Sequence, residues 1–183
     1  RGAKDRKNRI LTSLNLTPEG LEQTNLRLQE RLARVQSNEV RWEEELTDDA
    51  ELLLVAFGTM GRICKSALRS ARRAGLKVGL LRPISLWPFP EQRLYELAGQ
   101  VERMLVVEMN AGQMLHDVRE AVAGRAPVDF YGRMGGMIPL PDEVSEQLDR
   151  LMSLPAPQLD TDQPGNGYHH KAAASAVASR AKA

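Results

Sequence analysis

At 183 residues the chain suits one domain plus appendages, and a folded core of about 150 residues buries roughly 68–70% of its unfolded surface without covalent staples. Its 25 lysines and arginines nearly cancel 24 aspartates and glutamates, which gives no argument for nucleic acid or an anionic membrane as partner. The lone cysteine, Cys64, excludes an internal disulfide and any four-cysteine iron–sulfur or zinc site within the chain, and it fits a reducing cytoplasm.

Residues 1–16 are basic and polar, and the start on Arg1-Gly2 reads as a fragment, a processed product or an excised piece. No apolar run approaches the roughly 18–20 residues that span a bilayer, and no signal peptide is visible. Thr17-Pro18-Glu19 combines a capping residue with proline in a first helical turn. Leu21, Leu28, Leu32 and Val35 then mark one face of a helix over about 18–37. That narrow stripe must pack on its own domain or on a partner subunit.

VRWEEEL (40–46) alternates in part, as an exposed edge strand does, and Thr47-Asp48-Asp49 makes a turn. Leu52 to Phe57 is a continuous apolar run, the pattern of a strand covered on both faces. After Gly58-Thr59-Met60-Gly61 comes a helix over about 61–74 with Ile63, Ala67, Leu68 and Ala71 inward and Gly75 as its stop. A strand over 77–82 leads into a stiff connector in which Pro83, Pro88 and Pro90 hold Trp87 and Phe89 in extended backbone.

A helix over about 90–100 turns Leu94 and Leu97 inward, and MLVVEM (104–109) is a second fully buried strand. A helix over 112–123, a strand over 127–131 and a helix from Pro141 with Val144, Leu148 and Leu151 complete the pattern. Strands alternating with helices predict a three-layer α/β/α fold with a mostly parallel five-stranded sheet. The expected domains are a linker and helix at 1–39, the α/β domain at 40–154 and a disordered proline-, glycine- and alanine-rich tail at 155–183.

Several groups carry chemistry on paper. Gly58-Thr59-Met60-Gly61 either offers backbone N–H groups to an anion or is a tight turn capped by Thr59. Glu108, Asn110 and Gln113 form the most polar strand-to-helix junction, contacting a partner or satisfying their own loop, and Arg82 is a candidate mate for the Glu108 carboxylate. The loop around Arg133, with Gly135-Gly136 between Met134 and Met137, is an adaptable contact surface or an ordered crossover. Cys64 reads as a small buried hydrophobe, His116 as a surface or capping group, and Arg69, Arg72, Arg73 and Lys77 as a solvated helix face. His169-His170 lack the further ligands of a metal site.

RPISLWPFP (82–90), GTMGRICKSA (58–67), VVEMNAGQM (106–114) and FYGRMGGMIP (130–139) closely resemble the alpha subunit of 2-oxoacid:ferredoxin oxidoreductases of the 2-oxoisovalerate and 2-oxoglutarate type. The likeness runs from about Ile10 to Leu151 and falls in the transketolase-C-terminal-like domain. It implies a non-catalytic assembly domain, with no cofactor bound by this chain alone and no catalytic residue. Thiamine diphosphate, magnesium, iron–sulfur clusters and coenzyme A would be held elsewhere in a complex that decarboxylates a 2-oxoacid oxidatively to an acyl-coenzyme A and reduces ferredoxin. The implied partners are a pyrimidine-binding domain preceding this segment, a thiamine-diphosphate-binding beta subunit and a gamma subunit. No Gly-Asp-Gly motif of the beta subunit occurs here. The residues expected to make subunit or ligand contacts are Thr59, Arg82, Trp87, Phe89, Glu108, Asn110, Gln113 and Arg133. The rival readings are a free-standing module binding a small anion, a nucleotide or coenzyme A, and a pseudo-subunit that regulates assembly.

Overall fold

The computed structural model describes residues 4–7, 10 and 14–155. The chain divides into two compact units, Arg1–Val40 and Arg41–Ala183. In the first, helix α1 (Pro18–Asn38) starts as its sequence predicts: the Thr17 hydroxyl accepts the Gly20 N–H at 3.2 Å. No residue of α1 is buried, so Leu21, Leu28 and Leu32 stay exposed. The expected tail lies outside the described residues beyond Pro155.

The second unit runs β1 (Trp42–Glu45), β2 (Leu52–Ala56), α2 (Gly58–Arg73), β3 (Val78–Pro83), α3 (Glu91–Ala98), β4 (Arg103–Glu108), α4 (Gln113–Val122), β5 (Val128–Gly132) and α5 (Pro141–Met152). The sheet order is β1-β3-β2-β4-β5, with β1 antiparallel to β3 and every other pair parallel. This is the three-layer fold expected from the alternation of apolar runs. Helices α2 and α5 cover one face, α3 and α4 the other. Because strand side chains alternate, Leu53 and Val55 of β2 join the α3/α4 core while Leu52, Leu54 and Ala56 join the α2/α5 core. All five β2 residues are buried, which is why its sequence shows no polar alternation.

The edge strand β1 has almost no apolar side chain to bury and is held by charge instead. Glu44 faces the α3 layer, where Arg93 donates two hydrogen bonds to it at 2.7 and 2.8 Å, joined by the Thr47 hydroxyl at 2.8 Å and the Trp42 indole N–H at 2.6 Å. Its neighbours face the α2 layer. Glu43 accepts from Lys65 and Arg82, and Glu45 pairs with Lys65 and Arg69. The basic run expected to be a solvated face is exposed at Arg69, Arg73 and Lys77, and Arg72 is drawn in. Arg72 reaches furthest, donating to the carbonyls of Val78 and Leu46 and to both Asp49 oxygens. Arg69 pairs with Glu45 of β1, Arg72 and Lys77 pair with Asp49 and Glu51 of the β1–β2 turn, and Arg73 reaches the Ser70 hydroxyl at 3.5 Å.

The Arg93 guanidinium, against the opposing pull of desolvation, holds the Glu44 carboxyl down to about 2. A carboxylate with a depressed folded pKa contributes stability above its unfolded pKa and loses it as pH falls toward the folded value. Glu44→Gln should therefore cost roughly 1.5–3 kcal/mol at neutral pH. In urea unfolding, the gap between wild type and variant should shrink steadily from pH 5 toward pH 2; a gap independent of pH would show that the pair does not titrate with folding. Packing is equally tight further back along the same face of β3. A Cβ at Gly79 would stand 2.8 Å from the Leu46 carbonyl oxygen and 3.1 Å from the Thr47 Cα. Gly79→Ala should cost about 1–3 kcal/mol in the same assay, because backbone rather than a flexible side chain must give way.

Candidate functional site

Strand order reverses at β2. The chain leaves β2 through α2 for β3 on one side, and after α3 it crosses back to lay β4 on the other. Helices α2 and α4 thus leave adjacent parallel strands on opposite faces, which opens a crevice at the strands' carboxyl ends. A cleft of about 520 Å³ occupies that place. Phe57, Gly58, Thr59 and Met60 form one wall, Val107 to Asn110 the floor, Gln113, Met114 and Asp117 of α4 the second wall, and Leu86 overhangs from the proline connector.

Thr59, Glu108, Asn110 and Gln113 are therefore brought together, as a group of sequence-nominated residues. Arg82, Trp87, Phe89 and Arg133 are not among the lining residues. Phe89 is half-buried against the α3/α4 core, and Trp87 stands 56% exposed on the connector. Sequence reasoning passed over Phe57, Leu86, Met109 and Asp117. The signal for Asp117 was its position four residues after Gln113, one helical turn along the same face.

Glu108 is only 5% exposed and does not pair with Arg82. Strand β2 lies between β3 and β4, so Arg82 sits one strand too far away. Arg82 turns to Glu43 at 3.0 Å, its stem lying across Gly61, and its Nε is buried without a hydrogen-bond partner among the described residues. The Glu108 carboxylate instead accepts the backbone N–H groups of Met114 at 3.1 Å and Leu115 at 3.0 Å. Asn110 Oδ1 accepts those of Gly112 at 2.7 Å and Gln113 at 2.9 Å. Gly112, with φ +102, lets the chain double back so that both side chains reach the helix start. The orphan donors of α4 are thus satisfied by a carboxylate and an amide from the strand it follows.

The opposite wall differs. Helix α2 begins at Gly58, three residues before the expected start, and Phe57 at its N-cap provides no side-chain acceptor. Thr59 is exposed within the first turn and does not cap the helix. Among the described residues, those lining the cleft include Glu108 and Asp117 and no lysine, arginine or histidine. A diphosphate or other polyanion would meet negative charge there, with one uncapped helix start as its only attraction, so these residues do not fit such a group. Metal is no better served. Among the described residues no three of His, Cys, Asp and Glu stand where they could hold an ion. Cys64 is buried, and desolvation pushes its thiol up to about 12, which removes it as a nucleophile or cluster ligand. His116 is exposed.

Exposed apolar side chains gather at this end of the sheet. Phe57 follows β2, Ile84, Leu86 and Trp87 follow β3, and Met109 follows β4. Behind β5 the loop exposes Met134, Met137 and Ile138, with Leu140 at the start of α5, and Trp42 lies opposite Pro83 at the same end. Of the exposed large apolar side chains between residues 41 and 155, only Leu46, Tyr95 and Leu154 lie elsewhere. Arg133 braces the loop: it pairs with Glu143, whose other oxygen accepts the Leu140 N–H at 2.8 Å. No helix among the described residues is long and apolar enough to cross a membrane.

Comparison with known proteins places this architecture. The family model described as pyruvate:ferredoxin oxidoreductase core domain II matches residues 50–144. The ketoisovalerate oxidoreductase subunit VorB of Methanothermobacter thermautotrophicus is 47% identical over 135 residues, which is 74% of this chain and 38% of the relative. The 2-oxoglutarate synthase subunit KorA of Methanothermobacter marburgensis is 34% identical over 137 residues, covering 75% of this chain and 36% of that subunit. The chain thus spans under two-fifths of the length of these relatives. The fold is shared with 2-oxoglutarate:ferredoxin oxidoreductase from Magnetococcus marinus, at a TM-score of 0.66 and 21% identity over 74% of this chain and 24% of that one. A split-gene transketolase gives a TM-score of 0.52 at 17% identity, covering 61% of this chain and 42% of that one. Fold, family match and shared sequence agree: the chain belongs to the 2-oxoacid:ferredoxin oxidoreductase alpha-subunit family, as its transketolase-C-terminal-like core domain II.

Proposed function

We propose that this chain is a non-catalytic assembly domain of a 2-oxoacid:ferredoxin oxidoreductase alpha subunit and acts through protein contact. The observation that carries this is the crevice. In a doubly wound sheet this is where a ligand is held. Here it has no cation for an anionic ligand, no reactive nucleophile and a carboxylate already committed to its own helix. What remains is an apolar rim suited to protein.

In the complex so proposed, thiamine diphosphate, magnesium, the iron–sulfur clusters and coenzyme A are held by the beta and gamma subunits and by a pyrimidine-binding domain of the alpha subunit. The complex converts a 2-oxoacid to its acyl-coenzyme A and passes electrons to ferredoxin in the cytoplasm. The greater identity to VorB than to KorA favours a branched-chain substrate of the 2-oxoisovalerate kind over 2-oxoglutarate. Thr59, Asn110 and Gln113 serve this role as polar contacts at the crevice, with Trp87, Phe89 and the Arg133-braced loop beside it.

The test has two arms. Given 2-oxoisovalerate, coenzyme A, thiamine diphosphate, magnesium and ferredoxin, the isolated chain should form no acyl-coenzyme A. A full-length subunit in which this chain replaces the matched segment of Methanothermobacter VorB should assemble with the remaining VorB-complex subunits and restore that turnover. Saturable binding of coenzyme A or ADP to the isolated chain in calorimetry, lost in Gly58→Val, would instead establish the small-anion module.

A further inference from the structure

The strand carboxyl ends carry more than a general capacity for contact. Resting on the assembly-domain reading, we propose that this face receives the rest of the same alpha subunit, which seats an apolar side chain in the cleft and a lysine or arginine beside Asp117.

Three observations fix the face and the chemistry of its occupant. The first is asymmetry. Most of the large apolar side chains left in water between residues 41 and 155 gather at one end of the sheet, while an exposed aromatic elsewhere, Tyr95, already has the Arg125 guanidinium stacked 4.3 Å from its ring centre. Exposed apolar side chains on the loops after β2, β3, β4 and β5, with Phe57, Leu86 and Met109 at the edge of a concave centre, suit a protein interface in which a side chain of the partner fills the concavity.

The second is charge. Asp117 lines the cleft with no ion-pair or hydrogen-bond partner among the described residues, and no cation lines the cleft with it. Phe57, Leu86 and Met109 are 41%, 46% and 40% exposed at the rim. Covering them would strip water from the Asp117 carboxylate, which is costly unless the incoming surface brings a positive charge. The occupant is thus apolar with an adjacent cation, and an acidic segment is excluded by the same argument.

The third is preparation. The loop between β5 and α5 is fixed before any partner arrives. The Arg133–Glu143 pair and the Glu143–Leu140 hydrogen bond close its base, and the Met137 N–H donates to the Met134 carbonyl at 3.2 Å across Gly135-Gly136. The methionines at its tip face water although the loop beneath them is ordered, so docking pays little further backbone entropy. The rest of the subunit is the natural occupant because relatives such as VorB carry more than three-fifths of their length outside the matched segment, in the same polypeptide. Covalent linkage supplies a high effective concentration, so a modest surface suffices.

Hydrogen exchange on the full-length VorB chimera, compared with the isolated chain, tests this. The N–H groups of Gly58, Thr59 and Met60 head α2 without a side-chain cap and should exchange fast in the isolated chain. In the chimera, residues 57–60 and 133–138 should exchange at least tenfold more slowly. Asp117→Lys in the chimera should abolish that protection, while Glu102→Lys, an exposed charge at the other end of the sheet, should leave it intact. Protection confined to the outer faces of α2 or α3 would overturn the proposed face and leave the assembly-domain reading standing. A chimera with no slowed segment, and no association with its partner subunits, would remove both. If light scattering shows the isolated chain to be a dimer with residues 57–60 and 133–138 already protected, a second copy is the occupant and the proposal fails.

Discussion

The parallel pairing of β2 with β4 governs this domain. Leu54 sits level with Leu80 on one side and with Leu105 on the other, and all three are buried. A strand buried on both faces needs helices on both, and right-handed crossovers supply them only if the connections from β2 and β4 pass to opposite sides of the sheet. The crevice is a consequence of that arrangement rather than an added feature. The position of the cleft and the two helix starts that face it follow from satisfying the core.

Electrostatics then decides what the crevice can hold. A helix start at a strand's carboxyl end ordinarily attracts anions. Here Glu108 and Asn110 answer the four N–H groups of α4 internally, and Glu108 leaves a negative charge at the floor. The buried carboxylate needs no cationic mate because backbone donors and the helix dipole stabilise it. The same economy appears at the edge strand. Three successive glutamates in β1 would be a poor strand in isolation, yet alternation sends Glu44 to one helix layer and Glu43 and Glu45 to the other, where arginines and lysines wait. A charged edge also discourages pairing with another sheet, so one set of residues fastens the strand and protects it.

Much of this was legible in the sequence. Apolar runs of the length of 52–57 and 104–109 predict strands covered on both faces, and Thr17-Pro18, Gly75 and Pro141 mark helix ends where the structure has them. What could not be read was strand order. Arg82 and Glu108 each end a strand, and sequence proximity suggested they meet; inserting β2 between them separates them and gives each a different partner. The start of α2 was placed late for a local reason: Gly58, at φ +58, does make the turn its composition suggests, but Thr59 and Met60 already belong to the helix. The cleft was half-visible: its polar residues draw attention, whereas Phe57, Leu86 and Met109 look like ordinary core until the fold leaves them uncovered.

That last distinction bears on function. A buried core and a protein interface draw on the same residue types, and only topology tells them apart. Single exposed apolar side chains are normal on a folded surface; a ring of them at the carboxyl ends of four adjacent strands is not. Each loop of that ring follows a different strand, so no local sequence accident produces it. The fold brings Phe57, Trp87, Met109 and Met137 to one end because every parallel strand delivers its loop there. In α/β enzymes that convergence assembles catalytic groups from distant parts of the chain. In this domain it brings apolar ones near Asp117, a carboxylate with no hydrogen-bond or ion-pair partner among the described residues. The same topological rule that assembles an active site in other α/β proteins leaves exposed apolar side chains here, the outcome being set by side chains at a handful of loop positions.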